Sequence, residues 1–357
     1  MVVLGSTGSI GVNTLEIAKR FGLKIEALVA GNNYKLLNRQ IEIFKPRFVG
    51  VKDKKTAEKV NFDKVYVGTE GIVEILNRSK SKLVVNALVG EAGLIPTVTA
   101  QNLGKKIALA NKESLVIAGK FIDTSKITPI DSEHFGLWYL LGNKKNFNRL
   151  FITASGGALR DWPVEKIKNA KLEDVLKHPN WSMGVKITID SATMVNKLFE
   201  LLEAKWLFDT SDIDAFIETK SIIHALVEWK DGSTTAHISK TDMKLPIAFA
   251  LLGETKEKIL EPVNLLEIGS LEFKKIDPKR YPVWEIKESL LKNPDMGIVI
   301  NTANEEAIRK FLDKKIGFLD ISRQILEAFK EFEGVKINDL DEIFEVKKEV
   351  LRFINGI

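Results

Sequence analysis

The chain has 357 residues, and its 45% hydrophobic and 28% charged side chains are the balance of a globular protein of two or three domains. The formal net charge is +5 with acidic and basic residues interspersed, so a nucleic-acid partner is not expected. The absence of cysteine excludes disulfides, thiolate nucleophiles and cysteine-based zinc sites. No apolar run approaches the roughly 20 residues of a membrane helix, and Met1–Leu4 does not match a signal peptide, so no membrane partner is expected.

Short apolar runs alternate with segments of helical spacing over residues 1–145. Six of these runs are predicted strands: Val2–Leu4, Ile25–Ala30, Phe48–Val51, Lys64–Val67, Leu83–Val89 and Ile107–Ala110. Strands that alternate with helices predict βαβ units, a parallel sheet and right-handed crossovers. We therefore expect an N-terminal α/β domain of the Rossmann type.

A glycine-rich turn, Gly5–Gly11, follows the first predicted strand and opens a helix. Glycines allow the backbone to approach a pyrophosphate closely, and a helix N-terminus offers it free N–H groups. Because the spacing is G-x-x-G-x-x-G, an ordinary strand–helix turn is the alternative. The second strand ends at Ala30–Asn33 without the acidic residue that binds the ribose of NAD, which favours NADP, although this segment is also an ordinary turn.

Two carboxylates, Asp131 and Glu133, follow the apolar run Ile127–Ile130. Residues two apart project to one side of an extended chain, so the pair could bind one cation, with Glu200 as a third ligand. Oxygen ligands suit Mg²⁺ or Mn²⁺ better than zinc. The alternative is that Asp131 or Ser132 caps the helix that follows.

The middle of the chain has an α+β pattern and two unusual segments. Ser155–Gly157 follows the predicted strand Leu150–Thr153 and is either an anion-binding nest or an ordinary loop. The segment His178–Gly184 lies in an aperiodic stretch, 178–186, and contains Trp181. It is predicted to be either a lid over a substrate or an aromatic anchor for a surface loop.

A helix is predicted from near Asp190 to Phe208. Ser191 would then lie near its N-terminus, where an anion is favoured. Asn196 and Lys197 would share a face with Glu200. Serine, asparagine and lysine supply donors for a phosphate, and the glutamate supplies a metal ligand; the alternative is a network of surface pairs without a ligand.

The remaining pattern predicts a hairpin, a linker and a helical region. The hairpin joins Ile222–Glu228 to Thr234–Ile238 through the turn Asp231-Gly232. Residues 255–281 are irregular and predict a linker. Three helices are predicted in the C-terminal part: Ile298–Phe311, Asp320–Phe332 and Asp339–Phe353.

In their order along the chain, these segments resemble the 1-deoxy-D-xylulose 5-phosphate reductoisomerase family over roughly residues 1–330. HPNWSMG and DSATMVNK are the most specific of the matching motifs. The resemblance is carried by GSTGSIG at 5–11, ALVAGNN at 27–33, NALVGEAGL at 86–94, LANKESLV at 109–116, PIDSEH at 129–134, ASGGALR at 154–160, HPNWSMG at 178–184, ITIDSATMVNK at 187–197 with Glu200, and NTANEEA at 301–307.

The resemblance implies an NADPH-binding domain (1–145), a catalytic domain for substrate and metal (146–254), a linker (255–281) and a C-terminal helical bundle (282–357). It implies that a homodimer rearranges and reduces 1-deoxy-D-xylulose 5-phosphate to 2-C-methyl-D-erythritol 4-phosphate, in non-mevalonate isoprenoid precursor biosynthesis. The rearrangement would proceed by retro-aldol and aldol steps or by a direct shift. A cytoplasmic location is expected, with which the lack of disulfides is compatible.

The resemblance also implies a role for each matching position. Lys112 is expected to stabilise charge or donate a proton in catalysis, together with the metal ligands Asp131, Glu133 and Glu200. Cofactor contacts are expected from Thr7, Gly8, Ser9, Ile10, Gly31, Asn32, Asn33, Asn111, Glu113 and Gly184. Substrate contacts are expected from Lys112, Ser132, Glu133, Ser155, His178, Trp181, Ser191, Asn196, Lys197 and Glu200.

The chain departs from the family pattern at two places. Asn32 stands where the family often has lysine or arginine, and Lys35 could take over the recognition of a 2′-phosphate. Leu198 and Phe199 precede Glu200, where the family usually has glycine and leucine, so the packing there must differ.

Two other functions stay open on the sequence alone. A metal-independent Rossmann dehydrogenase, such as a semialdehyde or hydroxy-acid reductase, would be insensitive to EDTA. A noncatalytic nucleotide-binding regulator would bind the cofactor without oxidising NADPH. The three carboxylates Asp131, Glu133 and Glu200 disfavour both.

Overall fold

The structure is a computed structural model that describes residues 1–142, 144–181 and 183–356. Asn143, Ser182 of the HPNWSMG motif and Ile357, the last residue of the predicted helical bundle, lie outside the described residues. The strands are β1 (Val2–Leu4), β2 (Ala27–Ala30), β3 (Phe48–Val51), β4 (Val65–Val67), β5 (Leu83–Asn86), β6 (Lys106–Leu109), β7 (Ile127–Pro129), β8 (Phe147–Ala154), β9 (Ile213–Glu218), β10 (Ile223–Trp229), β11 (Thr234–Ile238) and β12 (Phe273–Lys274).

Helices connect and flank these strands, and they dominate the C-terminal part. They are α1 (Ser9–Arg20), α2 (Tyr34–Phe44), α3 (Lys54–Ala57), α4 (Gly68–Arg78), α5 (Leu94–Asn102), α6 (Lys112–Ala118), α7 (Ser132–Leu141), α8 (Leu172–Val175), α9 (Val185–Thr193), α10 (Val195–Phe208), α11 (Lys244–Leu252), α12 (Leu265–Ile268), α13 (Lys287–Lys292), α14 (Gly297–Leu312), α15 (Phe318–Glu331) and α16 (Leu340–Gly356). None of the helices in the described part of the chain combines the length and the apolarity needed to cross a membrane.

The chain divides into two compact units. The first comprises Met1–Ser114, Ile122–Phe135 and Asp242–Glu261, and the second comprises Leu115–Phe121, Gly136–Thr241 and Pro262–Ile357. These boundaries differ from those predicted at 145, 254 and 281, since α11 belongs to the first unit. The three functional domains and the linker between the second and third therefore stay a prediction.

The first unit is built on a seven-stranded parallel sheet with the order β4-β3-β2-β1-β5-β6-β7. The predicted α/β pattern is confirmed, and β7 adds an edge strand where the sequence showed only an apolar run. All three residues of β1 are fully buried, as expected for a central strand covered on both faces. Because β1 lies between β2 and β5, the strand order reverses there. Loops that leave the carboxyl ends of β1 and β5 then diverge and leave a crevice, the usual ligand position in such sheets.

The second unit contains a five-stranded sheet with the order β11-β10-β8-β9-β12. Strands β8 and β9 are parallel, and the other pairs are antiparallel. The predicted β10–β11 hairpin is confirmed. The segment 255–281, predicted to be an irregular linker, carries α12 and the edge strand β12. The three predicted C-terminal helices are α14, α15 and α16, so the predicted fold class is confirmed.

The helix predicted from Asp190 to Phe208 is two helices. Helix α9 begins at Val185, inside the stretch predicted to be aperiodic, and Met194 separates it from α10. Met194 has φ +71°, a left-handed conformation that costs a residue with a Cβ about 1–2 kcal/mol. The prediction was wrong because no glycine or asparagine marks this break.

We predict that glycine is tolerated better than alanine at position 194. Both Met194→Gly and Met194→Ala lose a side chain that is 1% exposed, so each is expected to lower the free energy of unfolding by roughly 2–5 kcal/mol. The glycine variant should be the more stable of the two by roughly 1 kcal/mol, because it adopts the left-handed conformation without strain. Urea unfolding followed by circular dichroism measures the difference.

Leu201, buried in the interior of α10, is the matched control position. There alanine should be more stable than glycine by about 1 kcal/mol, the ordinary helical order. The same order at position 194 would contradict the strain assigned to Met194.

Candidate active site

The loop Gly5–Gly11 joins β1 to α1 and is fixed by a reciprocal pair of hydrogen bonds. The fully buried Ser6 donates from Oγ to Gln40 Oε1 at 2.8 Å, and Gln40 Nε2 donates to the Ser6 carbonyl oxygen at 2.8 Å. A Cβ on Gly11 would lie 2.2 Å from the Gly5 carbonyl oxygen. Glycine is therefore required at Gly11, because the loop crosses directly over the start of the helix.

The first turn of α1 presents its backbone N–H groups without a capping side chain. Gly8 is the N-cap residue, and the positive end of the helix dipole lies at this turn. An anion is the natural partner of such a turn. The predicted cofactor residues lie here, with Gly8 and Ser9 exposed and Thr7 and Ile10 half-buried.

The carboxyl end of β2 carries three more predicted cofactor residues, Gly31, Asn32 and Asn33, all exposed. Asn33 caps α2, since its Oδ1 accepts the Leu36 N–H at 3.2 Å. Turn chemistry therefore accounts for Asn33. Lys35 is exposed in the first turn of the same helix, and its role in recognising a 2′-phosphate stays a prediction.

Asn111, another predicted cofactor residue, is buried, and both the nitrogen and the oxygen of its side-chain amide form hydrogen bonds. Its Nδ2 donates to the Leu88 carbonyl at 2.9 Å, the Gly90 carbonyl at 2.7 Å and Glu113 Oε2 at 3.1 Å. Its Oδ1 accepts the Ser114 N–H at 3.1 Å. The Asn111 side chain is thus used to hold the loop after β5, and its contact with the cofactor stays a prediction.

Sequence analysis missed Asn86, the fully buried residue that ends β5. Its Nδ2 donates to the Gly93 carbonyl at 2.9 Å and to Thr97 Oγ1 at 2.8 Å. A Cβ on Gly93 would lie 2.2 Å from Asn111 Oδ1. Asn86 and Asn111 therefore both donate hydrogen bonds to the loop after β5. The NALVGEAGL motif was the only sequence signal for this arrangement.

Asp131 and Glu133 lie where β7 leads into α7. Asp131 Oδ1 accepts the Glu133 N–H at 3.2 Å, so Asp131 caps the helix. The predicted extended geometry is wrong, because the strand ends at Pro129 and Glu133 lies in the first helical turn. Carboxylate oxygens of the two residues nevertheless lie within 4.8 Å of each other. The capping alternative and a cation-binding pair are therefore compatible.

Two basic side chains flank Asp131. Lys112 Nζ donates to Asp131 Oδ2 at 3.2 Å, and both side chains are largely buried. His134, which sequence analysis did not single out, is fully buried with Nδ1 3.4 Å from Asp131 Oδ1. Ser132 donates from Oγ to the Glu133 carboxylate. The predicted group Lys112, Asp131, Ser132 and Glu133 is thus brought together in the first unit.

Helix α10 of the second unit carries a buried ion pair between Lys197 and Glu200. These residues are 3% and 1% exposed. Lys197 Nζ donates to the Glu200 carboxylate and to the Thr153 carbonyl oxygen at the end of β8. Asn196 Nδ2 donates to the other oxygen of Glu200. The predicted shared face is confirmed, and the alternative of a solvated surface network is wrong for Lys197 and Glu200.

Three predicted substrate residues meet beyond the end of β8. Ser155 Oγ lies 2.8 Å from His178 Nε2 and 3.4 Å from Ser191 Oγ. His178 Nδ1 accepts the N–H groups of Asn180 at 3.1 Å and Trp181 at 2.9 Å. With Nδ1 an acceptor, the proton of a neutral ring lies on Nε2, which donates to Ser155.

Burial, assisted by the positive charge of Arg160, lowers the pKa of His178 to about 4. The ring is therefore neutral near pH 7, as its hydrogen bonds require. Ser191 lies in the last turn of α9 and not near a helix N-terminus, so that prediction was wrong. Trp181 packs edge-on against His224 with ring centroids 6.1 Å apart, and Gly184 is the exposed N-cap of α9.

A bare glycine loop at the reversal point of a parallel sheet is the binding site that dinucleotide-dependent oxidoreductases share. The Asp131–Glu133 pair adds two carboxylates whose oxygens lie within 4.8 Å of each other, the donor type that a divalent cation prefers.

The chain belongs to the 1-deoxy-D-xylulose 5-phosphate reductoisomerase family. The profile of that name matches residues 1–119, its C-terminal domain profile matches residues 127–208, and a further profile, DXP reductoisomerase C-terminal domain, matches residues 238–353. The resemblance drawn from the motifs is thereby confirmed.

Curated relatives extend over the whole chain. A 1-deoxy-D-xylulose 5-phosphate reductoisomerase of Nautilia profundicola is 70% identical over 360 residues, covering 99% of this chain and 98% of the relative. The enzyme of the same name from Campylobacter hominis is 54% identical, with 99% and 98% covered.

Solved structures agree with the fold. A DOX-P reductoisomerase in complex with NADPH, fosmidomycin and magnesium superposes with a TM-score of 0.93 at 33% identity, covering 99% of this chain and 97% of that one. The 1-deoxy-D-xylulose 5-phosphate reductoisomerase of Zymomonas mobilis in complex with NADPH gives 0.89 at 31% identity, with the same coverage.

We predict that the neutral state of His178 makes stability depend on pH. Between its usual pKa of 6.5 and the folded value of about 4, the unfolded chain binds a proton that the folded chain does not. The free energy of unfolding therefore falls as the pH is lowered through this window. In His178→Asn, whose side-chain oxygen accepts hydrogen bonds but does not titrate there, this contribution is absent.

The measurement is the difference in unfolding free energy between wild type and His178→Asn, from urea titrations at pH 7 to 4. Between pH 7 and pH 4 the unfolding free energy of the wild type should fall by roughly 1–2 kcal/mol more than that of the variant. This figure allows for solvent screening of a partly exposed ring. The pKa of His237, which burial and His224 lower to about 4, contributes to both proteins and cancels. A difference that stays constant over the window would contradict the buried, neutral ring.

Proposed function

We propose that this chain catalyses the NADPH-dependent rearrangement and reduction of 1-deoxy-D-xylulose 5-phosphate to 2-C-methyl-D-erythritol 4-phosphate, in non-mevalonate isoprenoid precursor biosynthesis. The observation that carries the proposal is the full-length relation to this family at up to 70% identity, with every predicted metal and substrate residue present. A cytoplasmic location stays a prediction.

The first unit fits NADPH. The uncapped first turn of α1 and the bare backbone of Gly5–Gly11 suit a pyrophosphate, with contacts from Thr7 to Ile10. Gly31, Asn32 and Asn33 stand at the end of β2, the position of the adenine ribose in this class. Bound NADPH supplies the hydride. Asn111, Glu113 and Gly184 complete the proposed cofactor contacts.

We assign a divalent cation, Mg²⁺ or Mn²⁺, to Asp131, Glu133 and Glu200 together. The oxygen-only donor set fits hard cations, and two of the carboxylates already approach within 4.8 Å. When bound, the cation supplies Lewis-acid polarisation of the substrate carbonyl. Lys197 and Asn196 hold the Glu200 carboxylate in one orientation.

The remaining residues bind and orient the substrate. The hydroxyls of Ser155 and Ser191, the His178 Nε2–H, Asn196 and Lys197 are donors of the kind that hold a phosphate. Phosphate binding away from the reacting carbons supplies energy to position them. Trp181 covers the site and excludes water.

Lys112 is positioned for charge stabilisation near the proposed metal ligands. Its ammonium group lies 3.2 Å from Asp131 Oδ2 and is largely buried. From there Nζ can donate a hydrogen bond, or a proton, to a substrate oxygen that gains negative charge. Ser132 belongs to the same group and is assigned a substrate contact.

The direct test is absorbance at the NADPH band after addition of 1-deoxy-D-xylulose 5-phosphate, with Mn²⁺ or with EDTA. The proposal requires loss of absorbance that depends on Mn²⁺. Turnover unaffected by EDTA would favour a metal-independent dehydrogenase. Cofactor binding without oxidation would favour a nucleotide-binding regulator.

We predict that Glu200→Gln lowers the metal-dependent kcat by at least about 10³-fold, because a neutral amide is a poor ligand for a hard cation. NADPH affinity, measured by fluorescence titration, should change little. The exposed Glu165→Gln is the control and should keep wild-type activity. Wild-type activity in Glu200→Gln would remove this residue from the metal site.

A homodimer is the proposed assembly, and an apolar face of the five-stranded sheet is the proposed contact. Phe151 and Phe216 lie with ring centroids 5.7 Å apart, and Phe216 and Phe273 with centroids 5.3 Å apart. Phe273 is 51% exposed. Leu226, opposite Phe151 in the register, extends the same face. A contiguous apolar face of this kind is typical of a protein–protein interface, and a second copy of the chain related by twofold symmetry would bury it.

We predict that Phe216→Asp separates the dimer, because it places a charge in the middle of this face. Light scattering should give twice the 40.0 kDa chain mass for wild type and the single mass for the variant. Ile43→Asp, at an exposed apolar residue of α2, should stay dimeric. A monomeric wild type, or a dimeric Phe216→Asp, would contradict the assigned face.

A further inference from the structure

We propose that Arg160 and Asn180 are positioning residues that fasten the phosphate-binding loop and the lid segment to one backbone carbonyl, that of Thr219. The loop is Ser155–Gly157, and the lid segment runs from His178 to Trp181. The inference rests on the proposed function, since it assigns how the phosphate side of the substrate site is kept in shape. Neither residue is among the expected substrate or cofactor contacts.

The Thr219 carbonyl belongs to a turn between β9 and β10 that is held by a buried carboxylate. Glu218 is fully buried, and its oxygens accept three backbone N–H groups. These come from Lys220 at 2.7 Å, Ile222 at 2.9 Å and Ile223 at 3.2 Å. The turn therefore has a fixed shape and presents the carbonyl in a fixed direction.

Arg160 joins this carbonyl to the phosphate-binding loop. Its Nη1 donates to the Ser155 carbonyl at 2.8 Å and to the Thr219 carbonyl at 2.9 Å, and its side chain is 13% exposed. The stem of Arg160 passes against Gly156, where a Cβ would lie 2.7 Å from its Cγ and Cδ. Gly156 also has φ +85°, so glycine is needed there on both counts.

Tyr281, which is distant from this loop in the sequence, also supports it. Its buried hydroxyl donates to the Gly156 carbonyl at 2.8 Å. Gly157 has φ +69°, and a Cβ there would lie 2.7 Å from the Ser191 carbonyl oxygen. The loop is thus confined between Arg160 and the end of α9, which fixes the distance from Ser155 to Ser191.

Asn180 joins the Thr219 carbonyl to the lid segment. Its Nδ2 donates to that carbonyl at 3.0 Å and to Ser221 Oγ at 2.7 Å, so both amide hydrogens are used. Its backbone N–H donates to His178 Nδ1 at 3.1 Å. Holding Asn180 therefore also holds the imidazole that donates to Ser155.

The two tethers close a ring of contacts. Ser155 and His178 hydrogen-bond each other, and each is tied to the Thr219 carbonyl, through Arg160 and Asn180 respectively. A preorganised phosphate site binds its ligand without first ordering the loop. Loss of either tether should therefore weaken substrate binding more than the chemical step. Because both tethers belong to the same ring of contacts, their separate effects on substrate binding should not be additive.

The test uses steady-state kinetics of the full chain with 1-deoxy-D-xylulose 5-phosphate and NADPH. Arg160→Lys removes the planar donor that serves both carbonyls, and Asn180→Asp replaces the two donated hydrogens by acceptor oxygens. Each should raise the KM for the sugar phosphate about tenfold and change kcat less than about threefold, as expected for a lost hydrogen bond that acts in binding. The double variant should raise KM by much less than about 100-fold.

The matched control is Asp161→Asn, which removes the exposed ion pair on the outer side of Arg160 and leaves its Nη1 contacts intact. It should keep the wild-type KM. If Arg160→Lys does not fold, Asn180→Asp provides the test, since a half-buried position is expected to tolerate the change. A KM closer to the wild-type value in Asn180→Gln than in Asn180→Asp would support the hydrogen bond that Asn180 donates to the Thr219 carbonyl.

Each outcome has a separate meaning. An active wild type with unchanged KM in both folded variants would overturn this inference and leave the proposed function intact. A fall in melting temperature with unchanged KM would do the same, because it would show a merely structural role. A wild type that does not oxidise NADPH with this substrate would defeat the proposed function itself.

Discussion

The burial of Lys197 and Glu200 as a pair is the constraint on which the second unit depends. An isolated charge at either position would lose several kcal/mol of hydration, and only a partner with good geometry offsets that loss. Here Lys197 also reaches the Thr153 carbonyl, and Asn196 satisfies the second oxygen of Glu200. The pair therefore ties α10 to the end of β8. It also holds the buried Glu200 carboxylate in one orientation.

The break at Met194 determines what the two helices around it can reach. Lys197 lies six positions after Ser191, so in one continuous helix the two side chains would point about 120° apart. With the chain bent at Met194, Ser191 contacts Ser155 and Lys197 contacts Thr153, both at the carboxyl end of β8. Backbone strain of a few kcal/mol at functional sites persists only where the surroundings enforce it. Here the buried Met194 side chain and the ion pair do so.

Local patterns were sufficient for part of this architecture. Alternating apolar runs predicted the parallel sheet, glycine spacing predicted the loop after β1, and helical spacing predicted that Asn196, Lys197 and Glu200 share a face. These features depend on neighbours in sequence, so periodicity reports them. The strand β12 was missed because it is two residues long and gains its partners only by pairing with β9.

Other features could not have been predicted, because they are made by residues far apart in the chain. The left-handed Met194 has no local signal, since methionine is not a residue that favours this conformation. The hydrogen bonds of Asn86 and Asn111 form only once the segment between Leu88 and Gly93 folds over both side chains. Arg160 and Asn180 meet at Thr219 through tertiary structure alone. The extended pairing of Asp131 with Glu133 was wrong for a local reason, because β7 ends at Pro129 and α7 begins at Ser132.

The central claim is that the carboxylate held by Lys197 serves a divalent cation together with Asp131 and Glu133. Mn²⁺ binding followed by electron paramagnetic resonance tests it most directly, on the wild type and on Asp131→Asn, Glu133→Gln and Glu200→Gln. The account predicts one tight Mn²⁺ per chain in the wild type and affinity at least about tenfold weaker in each variant, as expected when a charged ligand of a hard cation is lost. Wild-type Mn²⁺ affinity in Glu200→Gln would contradict it.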